Sequence, residues 1–246
     1  MSSPDSPSLW AVVPAAGVGR RYGADLPKQY LPLLGETVLE HGLARLLALP
    51  ELRRLVLVVA PEDRHWQSLP RCRDPRIQVV TGGSERADSV AAGVEALAER
   101  ADDEDWVLVH DAARPCVPVN DLRRLLAELA GDPVGGMLAA AIDDTVKQAT
   151  RGRVETTLDR SRIWRALTPQ MFRLAPLRQA LEVARRQAGA ITDESSALEA
   201  LGHRPRLIAG SADNIKITRP GDLELAAFYL RRQGEHAGLQ PEGEEE

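Results

Sequence analysis

Short apolar runs alternate with helix-like segments along most of this chain, and that alternation restricts the available folds more than any other feature. Leu9–Val13 is an apolar run, and Thr37-Val-Leu-Glu40 has the form of a capping box. The helix it opens carries Val38, Leu43, Leu46 and Leu47 on one face. Arg54-Leu-Val-Leu-Val-Val59 is apolar without interruption after its first residue, the pattern of a strand covered on both faces. Ile77–Val80 reads as a third strand, Ala87–Ala98 as a helix with Val90, Ala91, Val94 and Leu97 on one side, and Trp106–Val109 as the next strand. Asn120 is placed to cap a helix bearing Leu122, Leu125, Leu126 and Leu129. Repeated strand–helix units predict an α/β fold with a parallel, doubly covered sheet and with sites at the carboxyl ends of its strands.

The first strand runs into Pro14-Ala-Ala-Gly-Val-Gly-Arg-Arg-Tyr-Gly, followed by Pro27-Lys28. Ala15, Ala16, Gly17 and Gly19 have little or no side chain, so an anion's oxygens could approach the backbone N–H groups, with Arg20, Arg21 and Lys28 supplying formal charge. Gly17-x-Gly19-x-x-x-Gly23 is one residue too long for the dinucleotide fingerprint, and no Gly-Lys-Ser/Thr follows, so neither an NAD site nor a P-loop fits. A tight strand-to-helix connection is the plainer reading of such a turn. Two cations at a helix start oppose the helix dipole, however, and so require another reason. Glycine or charge clusters also follow Val80 and Val109, again at strand ends.

The 246 residues suffice for one α/β domain or two small ones. A net charge of −5 argues against a general nucleic-acid-binding surface, so positive charge must be local. The two cysteines, Cys72 and Cys116, lack metal or redox spacing and read as free thiols in a reducing compartment. No segment approaches the roughly 20 apolar residues of a membrane span, and Met1–Ser8 lacks signal-peptide character, which predicts a cytoplasmic location. Residues 1–8 and the acidic tail 233–246 read as disordered, leaving 9–232 as a single domain. Asp143–Arg160 is polar, alternates weakly and turns at Gly152, a β-hairpin with little core of its own. Beyond it, helices are expected at Pro176–Arg186, Asp193–Leu201 and about Pro220–Arg231, with a strand at Arg206–Ala209. Trp106 and Trp164 read as packing, and His110 as a structural hydrogen-bonding group rather than a base.

Six blocks in order carry a resemblance: Ala15-Ala-Gly-Val-Gly-Arg with Pro27-Lys28, Gly82-Gly-Ser-Glu-Arg-Ala-Asp-Ser-Val90, His110-Asp-Ala-Ala-Arg-Pro115, Thr168-Pro-Gln170, Ile191-Thr-Asp-Glu194 and Asp213-Asn-Ile-Lys216. Over about residues 9–232 the chain resembles the nucleoside-triphosphate sugar nucleotidyltransferases, and within them the 2-C-methyl-D-erythritol 4-phosphate cytidylyltransferase family of the non-mevalonate isoprenoid pathway. The resemblance implies a Rossmann-like, doubly wound, mostly parallel sheet with a protruding β-hairpin arm that packs against a second subunit of a homodimer. It implies CTP and methylerythritol phosphate as substrates, Mg²⁺ as cofactor, and no nucleic acid or membrane partner.

Residue by residue, the resemblance assigns Arg21, Lys28, Arg160 and Lys216 to catalysis. Pro14, Ala15, Ala16, Gly17, Gly19, Lys28, Gly83, Ser84, Ser89, Asp111 and Ala112 would bind the nucleotide, with Gly83, Ser84 and Ser89 at the cytosine. Ser84 stands where the family often has an acid, and it could equally cap the next helix. Asp111, Arg114, Thr145, Arg160, Thr168, Thr192 with Asp193, and Lys216 would hold the acceptor, and Asp111 is the candidate side-chain metal ligand. A lysine in a strand at Asn214-Ile-Lys-Ile217 would otherwise read as a solvated edge residue. Two alternatives stay open at this level: a cytidylyltransferase for another acceptor such as ribitol 5-phosphate, or a catalytically silent nucleotide-binding regulator.

Overall fold

The computed structural model describes residues 7–17, 26–186 and 192–237. In chain order the elements are β1 (Leu9–Pro14), β2 (Pro32–Leu33), β3 (Glu36–Thr37), α1 (Val38–Leu47), β4 (Leu52–Val59), β5 (Ile77–Thr81), α2 (Arg86–Ala98), β6 (Trp106–Val109) and α3 (Val119–Leu129). They continue with β7 (Gly135–Ala141), β8 (Val146–Thr150), β9 (Arg153–Leu158), β10 (Trp164–Arg173), α4 (Leu174–Arg186), α5 (Glu194–Ala200), β11 (Arg206–Ala209) and α6 (Gly221–Ala237). Seven strands form the central sheet in the order β11-β7-β10-β6-β1-β4-β5. All neighbours pair in parallel except β10, which runs antiparallel to both β6 and β7.

The apolar runs are explained by two covered faces. Along β1, Leu9, Ala11 and Val13 enter one core with Leu39, Leu43 and Leu46 of α1 and Leu122, Leu125 and Leu129 of α3. Trp10 and Val12 enter the opposite core with Val90, Val94 and Leu97 of α2, Leu174 and Leu177 of α4, and Leu198 of α5. β4 divides the same way, with Leu55 and Leu57 on the first face and Val56 and Val58 on the second. With both faces buried, a strand has no polar side to show, so alternation disappears from its sequence.

Thr37 caps α1 through the expected box with Glu40. Asn120 does not cap α3: that helix begins at Val119 behind Pro118, so Asn120 lies inside the first turn. Glu85, not Ser84, occupies the N-cap of α2. Asn214–Ile217 is loop rather than strand. Ser8, expected to be disordered, donates its N–H to Asp105 Oδ1 at 2.7 Å and accepts from Trp106 N–H. α6 continues to Ala237, past both the expected helix end and the start of the expected disordered tail. The expectations for residues 1–6 and 238–246 lie outside the described residues. Trp106 is core, with the Arg173 guanidinium 3.8 Å from its ring, but Trp164 is 41% exposed, which corrects its reading as packing.

Two strands of the central sheet were not anticipated. β7 begins with Gly135-Gly136 and is rich in alanine, and β10 contains Pro169; neither composition resembles a strand. The glycines answer a steric demand. Gly135 has φ +123, and a Cβ there would lie 2.1 Å from the Met171 carbonyl oxygen. β7 and β10 are joined by β8 and β9, which pair only with each other around Arg151 and Gly152, at φ 51 and 77. Two consecutive positive φ values give a tight hairpin whose twist matches its strands. Because this arm folds straight back, β10 returns antiparallel without a crossover helix.

Gly135→Ala should lower folding stability by about 3 kcal/mol, since the backbone carbonyl opposite cannot move without disrupting the β7–β10 ladder. Chemical denaturation would read this; a midpoint equal to that of the wild type would mean the strands separate at little cost.

Candidate active site

A cavity of about 300 Å³ opens at the carboxyl ends of β1, β5 and β6. Pro14, Ala15, Ala16 and Gly17 form one wall and Gly83, Ser84 and Ser89 another, while Asp111, Ala112 and Ala113 make the floor. Lys28 and Lys216 close the cationic side, joined by Gln29, Glu85, Arg86 and Thr218. Every nucleotide-site residue expected from the sequence and lying among the described residues therefore lines one cavity. Gly19, Arg20 and Arg21 lie outside the described residues.

The first wall is held open by hydrogen bonds on its far side. Ala15 N–H donates to Val58 O at 2.7 Å, which continues the β1–β4 pairing one step past the strand. The buried Gln29 amide donates from Nε2 to Ala15 O at 2.7 Å and to Gly17 O at 3.1 Å. With these carbonyls turned toward Gln29, the backbone between them is stapled to the Pro27-Lys28 segment. Lys28 Nζ donates to Ile217 O at 2.9 Å, which brings the first block of the sequence against the last.

Asp111 is the electrostatic centre. Its Oδ1 accepts from Arg86 Nε at 3.0 Å, its Oδ2 accepts from Lys216 Nζ at 2.7 Å, and Arg114 Nε lies 3.9 Å from Oδ2. Burial alone would raise the pKa of this carboxyl, but Arg86, Lys216 and Arg114 outweigh it and hold the group far below the usual carboxylate range. Arg86 loses solvation as well, yet Glu194 and Asp111 more than compensate, so its pKa lies above the ordinary arginine value.

Thr168 and Arg114 lie beneath this floor. Thr168 Oγ1 accepts from Asp111 N–H at 3.0 Å and meets His110 Nδ1 at 3.1 Å. The Arg114 carbonyl can only accept, so His110 Nε2, 3.0 Å from it, carries the proton and Nδ1 accepts the Thr168 hydroxyl. This fits the structural part expected of His110, which is fully buried and whose pKa burial pushes down to about 4. The Arg114 guanidinium donates to Asn214 O at 2.6 Å and Ala166 O at 3.4 Å, tying the Lys216 loop to β10. Thr145 and Arg160 are exposed on the arm, where Arg160 donates to Asp143 O, and Thr192 is exposed beside α5. None of these three lines the cavity of its own chain.

Against this geometry, the profile of the IspD family, 2-C-methyl-D-erythritol 4-phosphate cytidylyltransferase, matches residues 9–232. The chain belongs to this family. A 2-C-methyl-D-erythritol 4-phosphate cytidylyltransferase of Pseudomonas fluorescens (strain Pf0-1) is 56% identical over 220 residues, 89% of this chain and 94% of the relative. One of Pseudomonas syringae pv. syringae (strain B728a) is 55% identical over 234 residues, covering 94% and 98%. Among solved structures, a 4-diphosphocytidyl-2C-methyl-D-erythritol synthase is 39% identical with a TM-score of 0.79, covering 92% of this chain and 99% of that one. The Francisella tularensis IspD structure is 35% identical with a TM-score of 0.78, covering 90% and 99%.

Sequence reasoning singled out no role for Arg86, Gln29, Glu194 or Thr218. A signal for Arg86 was present, because it is a cation in the first turn of a helix, the argument already applied to Arg20 and Arg21. Gln29 carried no such signal, since a buried amide adjoining a loop is visible only in three dimensions.

His110 links the site to stability. Its pKa is lower folded than unfolded, so the stability it confers is full above about pH 6.5 and is lost as pH falls toward about 4. A shift of that size corresponds to about 3 kcal/mol lost across the window. Denaturation at pH 7 and pH 4.5 should show most of this loss in the wild type and much less in His110→Gln; equal losses in both would mean that His110 is not the group titrating.

Proposed function

We propose that this chain transfers the cytidylyl group of CTP to 2-C-methyl-D-erythritol 4-phosphate, giving 4-diphosphocytidyl-2-C-methyl-D-erythritol and pyrophosphate. The observation that carries the reading is the meeting of Lys28, Lys216 and Asp111 in one cavity that the small residues Ala15 to Gly17, Gly83 and Ser84 also line. In the reaction, an oxygen of the acceptor phosphate attacks the α-phosphorus in line. A new P–O bond forms, the bond from the α-phosphorus to the oxygen bridging it to the β-phosphate breaks, and pyrophosphate takes that electron pair. The acceptor phosphate is already anionic at neutral pH, so no general base is needed, and the barrier is dominated by bringing anions together.

Lys28 and Lys216, with Arg21 by family resemblance, supply fixed positive charge where negative charge grows. Ala16 and Gly17, with little or no side chain, offer backbone N–H groups to the triphosphate, and Gly83, Ser84 and Ser89 form a small polar wall suited to pairing with a pyrimidine edge. Mg²⁺ belongs to this reading. The cavity offers hard oxygen donors, Asp111 the foremost, and among the described residues no cluster of three or more His, Cys, Asp or Glu could hold a metal alone. That donor set suits an ion held chiefly by substrate phosphates with one carboxylate from the protein, where it would neutralise phosphate charge.

The arm supports a homodimer. β8 and β9 are largely exposed, with Val154 63% exposed, and an isolated two-stranded sheet is marginal unless it packs on something. Placing Arg160 in the partner's cavity accounts for its distance from its own. The cytoplasmic assignment agrees with free, buried Cys72 and Cys116, and no described helix is long and apolar enough to cross a membrane.

A pyrophosphate-release assay with CTP, Mg²⁺ and methylerythritol 4-phosphate tests the whole reading. Lys28→Ala and Arg160→Ala should each lower turnover on the order of 10²-fold. Mixed with subunit exchange, they should recover activity, because each heterodimer of crossed arms has one intact site. Release only with ribitol 5-phosphate would overturn the acceptor, and no recovery from proven heterodimers would overturn the crossed arm.

A further inference from the structure

Arg86 opens α2 at the positive end of its helix dipole, an unfavourable place for a cation without compensation. The compensation is specific. Nε donates to Asp111 Oδ1 at 3.0 Å, and the two terminal nitrogens reach the two oxygens of Glu194 at 2.5 and 3.1 Å. The Glu194 side chain is only 1% exposed. Three of the five guanidinium N–H groups are thus spent on two carboxylates from different parts of the chain. The other oxygen of Asp111 holds Lys216 at 2.7 Å. Glu194, Arg86, Asp111 and Lys216 therefore form an unbroken chain of ion pairs through four separate segments.

The position of each segment gives the chain of pairs its meaning. Arg86 directly follows Gly83, Ser84 and Glu85 on the cavity's polar wall, and Glu194 directly follows Thr192 and Asp193. Asp193 caps α5 and accepts from Gln170 Nε2 at 2.8 Å, while Gln170 Oε1 accepts from Ser195 N–H at 2.8 Å. The Thr192–Ser195 segment is thus tied to β10 on one side and to Arg86 on the other. We propose that Arg86 is a positioning residue for the transfer reaction: it fixes the Asp111 carboxylate in the orientation that aims Lys216, and it ties the nucleotide-side wall to the acceptor-side segment. This rests on the nucleotidyl-transfer reading.

Lysine cannot replace arginine here. Its donors radiate from one atom, whereas bridging two carboxylates requires a planar fork with a side donor. Glu194→Gln keeps the shape of Glu194 and leaves Arg86 its Asp111 partner, so it weakens the tie without stranding a buried charge.

Steady-state kinetics with CTP and methylerythritol 4-phosphate varied separately, on wild type, Arg86→Lys and Glu194→Gln, test the proposal. Arg86→Lys should lower kcat/KM for the acceptor at least about 10-fold while KM for CTP stays within about 3-fold. Glu194→Gln should show the same split at smaller size. Acceptor kcat/KM within about 3-fold of wild type, or a KM for CTP raised by as large a factor as acceptor kcat/KM falls, would overturn it. If Arg86→Lys does not fold, the same criteria apply to Glu194→Gln. An inactive wild type overturns the transfer reading along with this one, whereas an active wild type with unaffected variants overturns this one alone.

Discussion

A single buried carboxylate, Asp111, lets several cations share one small cavity. Left alone, a carboxylate at that depth would cost several kcal/mol and would protonate instead. Arg86, Lys216 and Arg114 keep it ionised, and it in turn offsets their mutual repulsion. Its backbone is equally constrained, since the N–H rests on Thr168 and Thr168 rests on the neutral, fully buried His110. The parallel strands supply the setting, because β1, β5 and β6 all end at this cavity and the residues following β1 and β5 on its walls are mostly small.

Much of this was legible in the sequence for physical reasons. Doubly covered strands reveal themselves as unbroken apolar runs, so β1, β4 and β6 could be placed within a residue or two, and the clusters following β1, β5 and β6 marked the site. What escaped was decided by neighbours. β7 is a strand of glycine and alanine because the Met171 carbonyl and β11 leave no room for side chains at Gly135 and Gly136. β10 tolerates Pro169 where its pairing with β7 is interrupted between Ala166 and Gln170. Lys216 was expected on a strand, but its loop is shaped by Arg114 and Asn214, whose bonds to Asn214 O and Thr168 O span 100 and 46 residues.

The site residues divide along the same line. Those that act through small size or backbone, Ala15 to Gly17 and Gly83, announce themselves by composition. Those that act through another residue do not: Gln29 is an ordinary amide until Ala15 O and Gly17 O are seen to point at it, and Glu194 is an ordinary acid until Arg86 meets it. Thr145 and Arg160, expected at the acceptor, lie exposed on the arm and do not line the cavity of their own chain, which no local pattern could foretell.

The central claim is that an ionised Asp111 organises the cations of the transfer site. Asp111→Asn keeps the shape but removes the charge and replaces one of the two oxygens that accept from Arg86 and Lys216 with an amide that can only donate. Its turnover with CTP and methylerythritol 4-phosphate, measured on protein shown to be folded, tests that claim most directly. The account predicts a loss on the order of 10²-fold or more. Turnover within about 3-fold of wild type would show that Lys216 and Arg86 hold their places without it, and would contradict the account.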